Sequence, residues 1–248
     1  MTKKSIIYGK HSVKSVIQNI NRNIEQIFCT EATFKSLQNE LSYVKRNKIS
    51  LVNRNTIEQV LQSHGFKNVL HQDIVVISQK LIQPSIHEII DSAKFLILLD
   101  ELQDSQNIGA IIRSAALLNV DAVVSTLHNS PDENPHIIKS ACGAFEYIPF
   151  IKVINLSQTI QLLQENNFWV VGMSCNTKES IDTLQSKFSK NEKIALIVGN
   201  EEVGMRKLVE KNCDFLFKIP INISKGVDSL NASSAVAIFL YEINKIMQ

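Results

Sequence analysis

From Phe95 to the end of the chain, strand-sized apolar runs alternate with stretches of helical spacing. The runs are FLILLD, DAVVST, YIPFIKV, FWVVGMS, KIALIVGN and FLFKIPI, and helices are expected through 111–118, 160–163, 203–210 and 229–246. A strand that is apolar at successive positions has both faces covered, and strands joined through helices run parallel. This part of the chain therefore reads as α/β, a mainly parallel sheet between layers of helices. The same runs are far too short for a membrane span, which needs about 20 apolar residues.

Residues 1–78 carry a second, smaller alternation. IIY (6–8) precedes Val13, Val16, Ile17 and Ile20 at helical spacing, and IEQIFCT (24–30) reads as a strand followed by Phe34, Leu37, Leu41 and Val44 every three or four residues. ISLVN (49–53) leads into a short helix from Asn55 to Leu61, capped by Asn55 or Thr56, and HQDIVVIS (71–78) closes the unit as a strand. Residues 79–92, with Pro84 and no period longer than one turn, read as a linker, and 93–248 as the second domain.

Charge divides near the same boundary. Residues 1–80 hold twelve Lys/Arg against five Asp/Glu, a net +7, whereas 81–248 hold fourteen against nineteen, a net −5. A basic first domain suits a polyanion, since neutralising phosphates releases counterions; a chain with 21 Lys also carries lysine-rich surfaces without such a partner. Cys29, Cys142, Cys175 and Cys213 lie far apart with no C-x-x-C, and the histidines show no ligand spacing against them, so reduced, mostly buried thiols are expected, with no disulfide framework and no metal site. The start, MTKKSIIYGK, has neither the apolar core of a secretory signal nor the composition of a transit peptide, and the cytoplasm is the expected compartment.

Ligands of parallel sheets bind at the carboxyl ends of the strands. After FLILLD come Asn107, Gly109 and, on a helix of small and apolar residues, Arg113; after KIALIV come Gly199, Asn200, Glu201 and Gly204; after FLFK come Ile219, Pro220 and Ile221, then Ser229, Leu230 and Asn231. There is no G-x-G-x-x-G after a strand and no G-x-x-x-x-G-K-[ST], which disfavours dinucleotide oxidoreductases and P-loop nucleotidases. Only five arginines stand beside the lysines, so Arg113 suggests that a planar, bidentate cation is wanted there. A carboxylate between glycines, as at Glu201, needs a partner wherever a ligand approaches the backbone. The same residues also read as a helix cap and surface ion pair (Asn107, Arg113), a solvated turn (Glu201) and ordinary caps (Ser229, Asn231).

In order, these stretches resemble the motifs of the SpoU/TrmH family of RNA ribose 2'-O-methyltransferases. N-x-G-x-x-x-R is matched by Asn107, Gly109 and Arg113; G-x-E-x-x-G-[LM] by Gly199, Glu201, Gly204 and Met205; and I-P-[MI] with a later S-L-N by Ile219, Pro220, Ile221, Ser229, Leu230 and Asn231. YGKHSV (8–13), the segment 138–172 and MRKLVEKNCD (205–214) are similar to the bacterial subfamily that methylates a guanosine ribose in 23S rRNA. The sequence departs from the family at Glu202 and Asp73, where Gly is usual, and in a stretch between Ile221 and Ser229 about two residues longer than usual.

The resemblance implies a SPOUT-type domain with a carboxyl-terminal trefoil knot, preceded by an RNA-binding α/β domain of ribosomal-protein type. It further implies a homodimer acting on rRNA with S-adenosylmethionine and no metal. Arg113 is then the residue that activates the ribose hydroxyl, positioned with the ribose by Asn107, Glu201, Ser229 and Asn231; Gly199, Asn200, Ile219, Ile221 and Leu230 hold the cofactor. An arginine pKa above about 12 makes a guanidinium a poor base, so orienting the phosphate and hydroxyl is its physically easier role. The competing expectations are a tRNA or other rRNA ribose as substrate, and a non-catalytic RNA-binding assembly factor.

Overall fold

The computed structural model describes residues 4–222 and 229–248. Tertiary contacts divide the chain into two units, one of residues 1–82 with 133–147, the other of 83–132 with 148–248. In the first unit, β1 (Lys4–Tyr8), α1 (Lys10–Gln18), β2 (Ile24–Cys29), α2 (Glu31–Ser36), α3 (Gln38–Leu41), β3 (Ile49–Leu51), α4 (Arg54–Ser63) and β4 (Ile74–Gln79) follow in sequence. The sheet order is β1-β4-β2-β3, with β4 antiparallel to both neighbours and β2 parallel to β3. The helical stretch expected through Val44 is broken at Leu37, whose φ of −117° and ψ of 23° leave the helical region between α2 and α3. The cap of α4 is Asn53 rather than Asn55 or Thr56: it is the last extended residue, and its side chain accepts from the Thr56 amide at 2.9 Å.

Within 79–92, α5 (Ile86–Ile89) forms a single turn closed by a Ser85/Glu88 capping box. Ile86 and Ile90 are buried in the core of the second unit. That unit continues through β5 (Phe95–Leu99), α6 (Ser105–Leu117) and β6 (Ala122–Thr126). Then α7 (Pro135–Ser140) lies in the segment that belongs to the first unit, after which β7 (Phe150–Val153), α8 (Leu156–Glu165), β8 (Phe168–Met173), α9 (Leu184–Lys187), β9 (Lys193–Val198), α10 (Lys207–Lys211), β10 (Phe215–Phe217) and α11 (Ala232–Met247) complete the second.

Its six strands are all parallel, in the order β10-β8-β9-β5-β6-β7, as the continuous apolar runs require. All five residues of β5 are fully buried. Helices α10 and α11 start later than their apolar periodicity suggests, at Lys207 and Ala232, because the preceding residues are held in the loops described below. Among the described residues no helix is long and apolar enough to cross a membrane.

The segment 133–147 is tied to the first unit by a buried ion triad. Arg22 Nη1 meets Glu133 Oε1 at 2.7 Å and Nη2 meets Glu146 Oε1 at 2.6 Å, with the Arg22 and Glu146 side chains fully buried. Asn19 Nδ2 adds a bond to Glu146 Oε2 at 2.9 Å. The carboxylates hold the Arg22 guanidinium charged against its burial, with its pKa above the ordinary arginine value.

Candidate functional site

The strand order reverses between β5 and β9, since the chain proceeds outward from β5 through β6 and β7 on one side only. Such a point opens a crevice at the carboxyl ends of the strands. Helix α6 leaves β5 with Asp104 as its cap, the carboxylate accepting from Gln106 N at 2.9 Å. Asn107 therefore sits inside the first turn, almost fully buried, and is not the cap. Its Nδ2 donates to Glu201 Oε1 at 2.9 Å, and its Oδ1 accepts from Asn231 Nδ2, also at 2.9 Å. Asn231 in turn caps α11, its Oδ1 accepting from Ser233 N at 3.0 Å and Ser234 N at 3.3 Å. The amides of Asn107 and Asn231 thus have one consistent orientation, and the three sequence motifs meet in one chain of hydrogen bonds.

The loop after β9 is a tight reversal. Asn200 and Gly204 exchange backbone hydrogen bonds of 3.0 and 2.9 Å, and Gly204 takes a φ of +72°, which favours glycine. At Gly199 the opposing main chain is so close that a Cβ would lie 2.3 Å from both Gly204 C and Met205 N. Asn200 stitches the turn from inside, accepting from Glu202 N at 2.9 Å and donating to the Glu101 carbonyl at 3.1 Å. Glu202 is not among the positive-φ residues, so its place there needs no glycine; Asp73, the other departure from the family pattern, has a φ of +60°.

Sequence reasoning missed a clamp beneath this loop. Asp100, the buried residue that ends the FLILLD run, accepts from Arg206 N at 2.8 Å and from Arg206 Nε at 2.8 Å, and meets Nη2 at 2.6 Å. Arg206 also reaches Glu101 Oε1 at 3.1 Å. The scarcity of arginine that drew attention to Arg113 applies equally to Arg206 and was the signal available.

Beside these loops lies a cleft of about 700 Å³. Of the residues singled out from sequence, Gly199, Asn200, Glu201, Ile219, Ile221, Ser229, Leu230 and Asn231 line it, and Asn107 joins through its two hydrogen bonds. Arg113 is not part of the lining. It lies on an exposed face of α6, about 240° round the helix from Asn107. The longer stretch between Ile221 and Ser229 falls on 223–228, outside the described residues. Met173, Cys175 and Phe239 also line the cleft and had no sequence signature; Cys175 and Cys142 are exposed and Cys213 is partly so, which leaves Cys29 alone of the four thiols buried, against the expectation that most would be. Ile221 and Leu230 remain 39% and 42% exposed there, and the carboxylates Glu201, Glu202 and Glu210 outnumber Lys207 and Lys218. A nucleoside-sized ligand with an apolar body and a positive centre matches these walls.

Residues 94–241 match the SpoU rRNA methylase family, and residues 6–84 match the substrate-binding family of RNA 2'-O ribose methyltransferases. The chain belongs to the SpoU rRNA methylase family. Within this family of RNA ribose 2'-O-methyltransferases, the chain is 33% identical over 254 residues to the 23S rRNA (guanosine-2'-O-)-methyltransferase RlmB of Coxiella burnetii, an alignment spanning 99% of this chain and 97% of that protein. It is 32% identical over 245 residues to the RlmB of Escherichia coli K12, spanning 96% of each. The fold is shared with the SpoU methyltransferase AviRb from Streptomyces viridochromogenes, whose structure in complex with AdoMet superposes with a TM-score of 0.79 at 19% identity, over 98% of this chain and 89% of that one. An AdoMet-bound rRNA methyltransferase from Sinorhizobium meliloti gives the same TM-score of 0.79 at 18% identity, over 98% of this chain and 87% of that one.

Proposed function

We propose that this SpoU-family chain transfers the methyl group of S-adenosylmethionine to the 2'-hydroxyl of a guanosine ribose in 23S rRNA, as a cytoplasmic homodimer. The observation that carries the reading is the Asn231–Asn107–Glu201 hydrogen-bond chain beside the cleft, which joins three motifs from distant parts of the sequence. S-adenosylmethionine supplies an activated methyl on a sulfonium. The cleft suits it: Ile219, Ile221 and Leu230 offer apolar surface to the adenosine, Gly199 and Asn200 bring the turn's main chain up to the wall, and the excess of carboxylates complements the positive sulfur.

The chain's own contribution is alignment. Asn107 fixes Glu201 at the cleft, while Asn231 and Ser229 set the entrance of α11 against it. Arg113 binds the nucleotide's phosphate and orients its ribose hydroxyl, a role that suits a planar guanidinium better than proton removal does. Arg113 and Leu117 stand one turn apart on α6, and Leu117, at 77% exposure, joins Ile238 and Tyr241 of the packed helix α11 as exposed apolar side chains. A second copy covering this face would set Arg113 at the interface, which supports the homodimer.

The first unit is the RNA-holding part of this reading. With 133–147 included it carries thirteen Lys/Arg against seven Asp/Glu. A ribosomal-protein type of fold there, and a trefoil knot around the cofactor, complete the proposal. Incubating the protein with labelled S-adenosylmethionine and protein-free large-subunit rRNA should label one guanosine ribose of 23S rRNA. Label confined to tRNA would overturn the substrate, and bound cofactor with no transfer to any RNA would overturn the enzyme.

A further inference from the structure

The first unit contains a cleft of about 340 Å³ between α4 and the segment leading into β4, at the small end of the roughly 300–1,000 Å³ range of ligand pockets. Its apolar wall is Leu61, Phe66, Val69 and the exposed Leu70; its polar wall is Arg54, Glu58, Gln62, Asn68 and His71. The His71 side chain is 4% exposed, and its Nε2 has no hydrogen-bond partner among the described residues. The other ring nitrogen, Nδ1, accepts from the Asp73 amide at 3.0 Å, so in the neutral ring the proton sits on Nε2, which is a buried donor without an acceptor. Nε2 faces Glu58 Oε1 at 3.8 Å, beyond hydrogen-bond reach. Glu58 is half-exposed and held by an exposed i,i+4 pair with Arg54 at 3.1 Å, the kind of contact that gives way easily. The backbone here is constrained: Asn68, Gln72 and Asp73 all take left-handed φ values between 52° and 60°.

We infer that this cleft receives an unpaired RNA base, guanine above the others, with His71 Nε2–H donating to the base and the Glu58 carboxylate accepting from it. The inference rests on the first unit being the RNA-holding part of the enzyme. The His71 donor, fixed beside the Glu58 carboxylate, distinguishes the bases by their edges. Guanine offers O6 to His71 and both N1–H and the 2-amino group to the two oxygens of Glu58, three bonds in all. Adenine and cytosine can make two, a ring nitrogen to His71 and an amino group to Glu58. Uracil can also make two, but turns its second carbonyl on the carboxylate. Phe66, Val69 and Leu70 give the base an apolar face to lie against, as single-stranded RNA readers do.

The test uses the full chain and fluorescent pentanucleotide RNAs with central guanine, hypoxanthine or adenine in a uridine background, read by anisotropy. Guanine should bind about tenfold or more tightly than adenine, the discrimination of one bidentate base contact. Hypoxanthine, which lacks the 2-amino group, should fall between them. Glu58→Gln, a near-isosteric change at a half-exposed position, should erase the guanine preference while the affinity for the adenine oligomer holds. Equal affinities for the three oligomers, or a guanine preference unchanged in Glu58→Gln, overturns the base pocket and leaves the RNA-holding role of the unit standing. No binding of any oligomer, nor of longer rRNA fragments, overturns that role and the pocket together.

Discussion

Replacing Gly199 by alanine adds one methyl at the close approach of two main-chain arms beside the cleft of about 700 Å³, proposed above to hold the cofactor. That Cβ would lie 2.3 Å from Gly204 C and Met205 N and 2.7 Å from Gly204 O, where ordinary contact begins at 3.4 Å. All three are main-chain atoms, so no rotamer change relieves the overlap, and the far arm of the turn has to retreat by about an ångström. Retreat breaks the two hydrogen bonds between Asn200 and Gly204, each worth about 0.5–1.5 kcal/mol. Restoring the turn around the ligand then costs about 1–3 kcal/mol, which is about 5- to 150-fold in cofactor affinity. Gly204→Ala is the control. Nothing lies within 4 Å of the added methyl, and the penalty is the strain of a φ of +72°, about 1–2 kcal/mol of stability without displacement of the opposing arm.

The two variants should therefore separate in calorimetric titration with S-adenosylmethionine even where their urea midpoints are similar. Gly199→Ala should lose at least fivefold in affinity, and Gly204→Ala clearly less. If Gly199→Ala bound as tightly as the unaltered chain, or Gly204→Ala were the weaker of the two, the turn would not hold the cofactor.

Arg113→Ala should lower methyl transfer by about 100-fold or more, the scale of one lost transition-state contact, while cofactor affinity holds; Arg113→Lys should rescue little, and a near-normal rate in either variant removes the guanidinium from the chemistry. Glu146→Gln leaves fully buried Arg22 with one carboxylate partner, so urea unfolding of the full chain should show a loss of about 3–5 kcal/mol, and a loss under about 1 kcal/mol would refute the triad's importance. Burial and the Asp214, Glu210 and Asp100 carboxylates push the Cys213 thiol up to about 12 from an ordinary 9.0. At pH 8 alkylation should mark exposed Cys142 and Cys175 and spare Cys213, and S-adenosylmethionine should protect Cys175, which lines the cleft; unprotected Cys175 at saturating cofactor would misplace the ligand. Because the folded thiol keeps its proton above pH 9 while the unfolded one loses it, the Cys213 contribution to stability is intact below about pH 9 and falls by up to about 1.4 kcal/mol per pH unit from there towards pH 12, which melting curves across that range would show.

What the sequence could reveal follows the range of each interaction. The runs from FLILLD to FLFK predicted a parallel sheet because strand burial is written into consecutive residues, and the sheet has all six strands parallel. Boundaries slipped where a polar side chain had two plausible neighbours. Asn53, Asn55 and Thr56 are equally good caps by composition, and only the extended backbone of Asn53 decides among them. Asn107 read as a cap for the same reason, until Asp104 took that place and freed its amide for Glu201 and Asn231. The Asp100–Arg206 clamp joins residues 106 apart, and no local pattern announces it.

The Arg22 triad shows why the basic segment cannot be judged by excising it. Its partners lie 111 and 124 residues away, in a stretch that reads from sequence as part of the loop-and-strand run of the larger domain. A cut after residue 78 removes Arg22 and strands Glu133 and Glu146, two carboxylates that are buried because a guanidinium compensates them. Weak RNA binding by such a fragment would report a broken fold as readily as a missing RNA contact. Exposed lysine side chains of the same unit, such as Lys4 and Lys14, pair with Glu25 and Glu40 at the surface, where an ion pair adds little to stability. Charge lost there changes the salt dependence of RNA affinity without touching the triad, so surface substitution, rather than deletion, isolates the electrostatic share of RNA recognition.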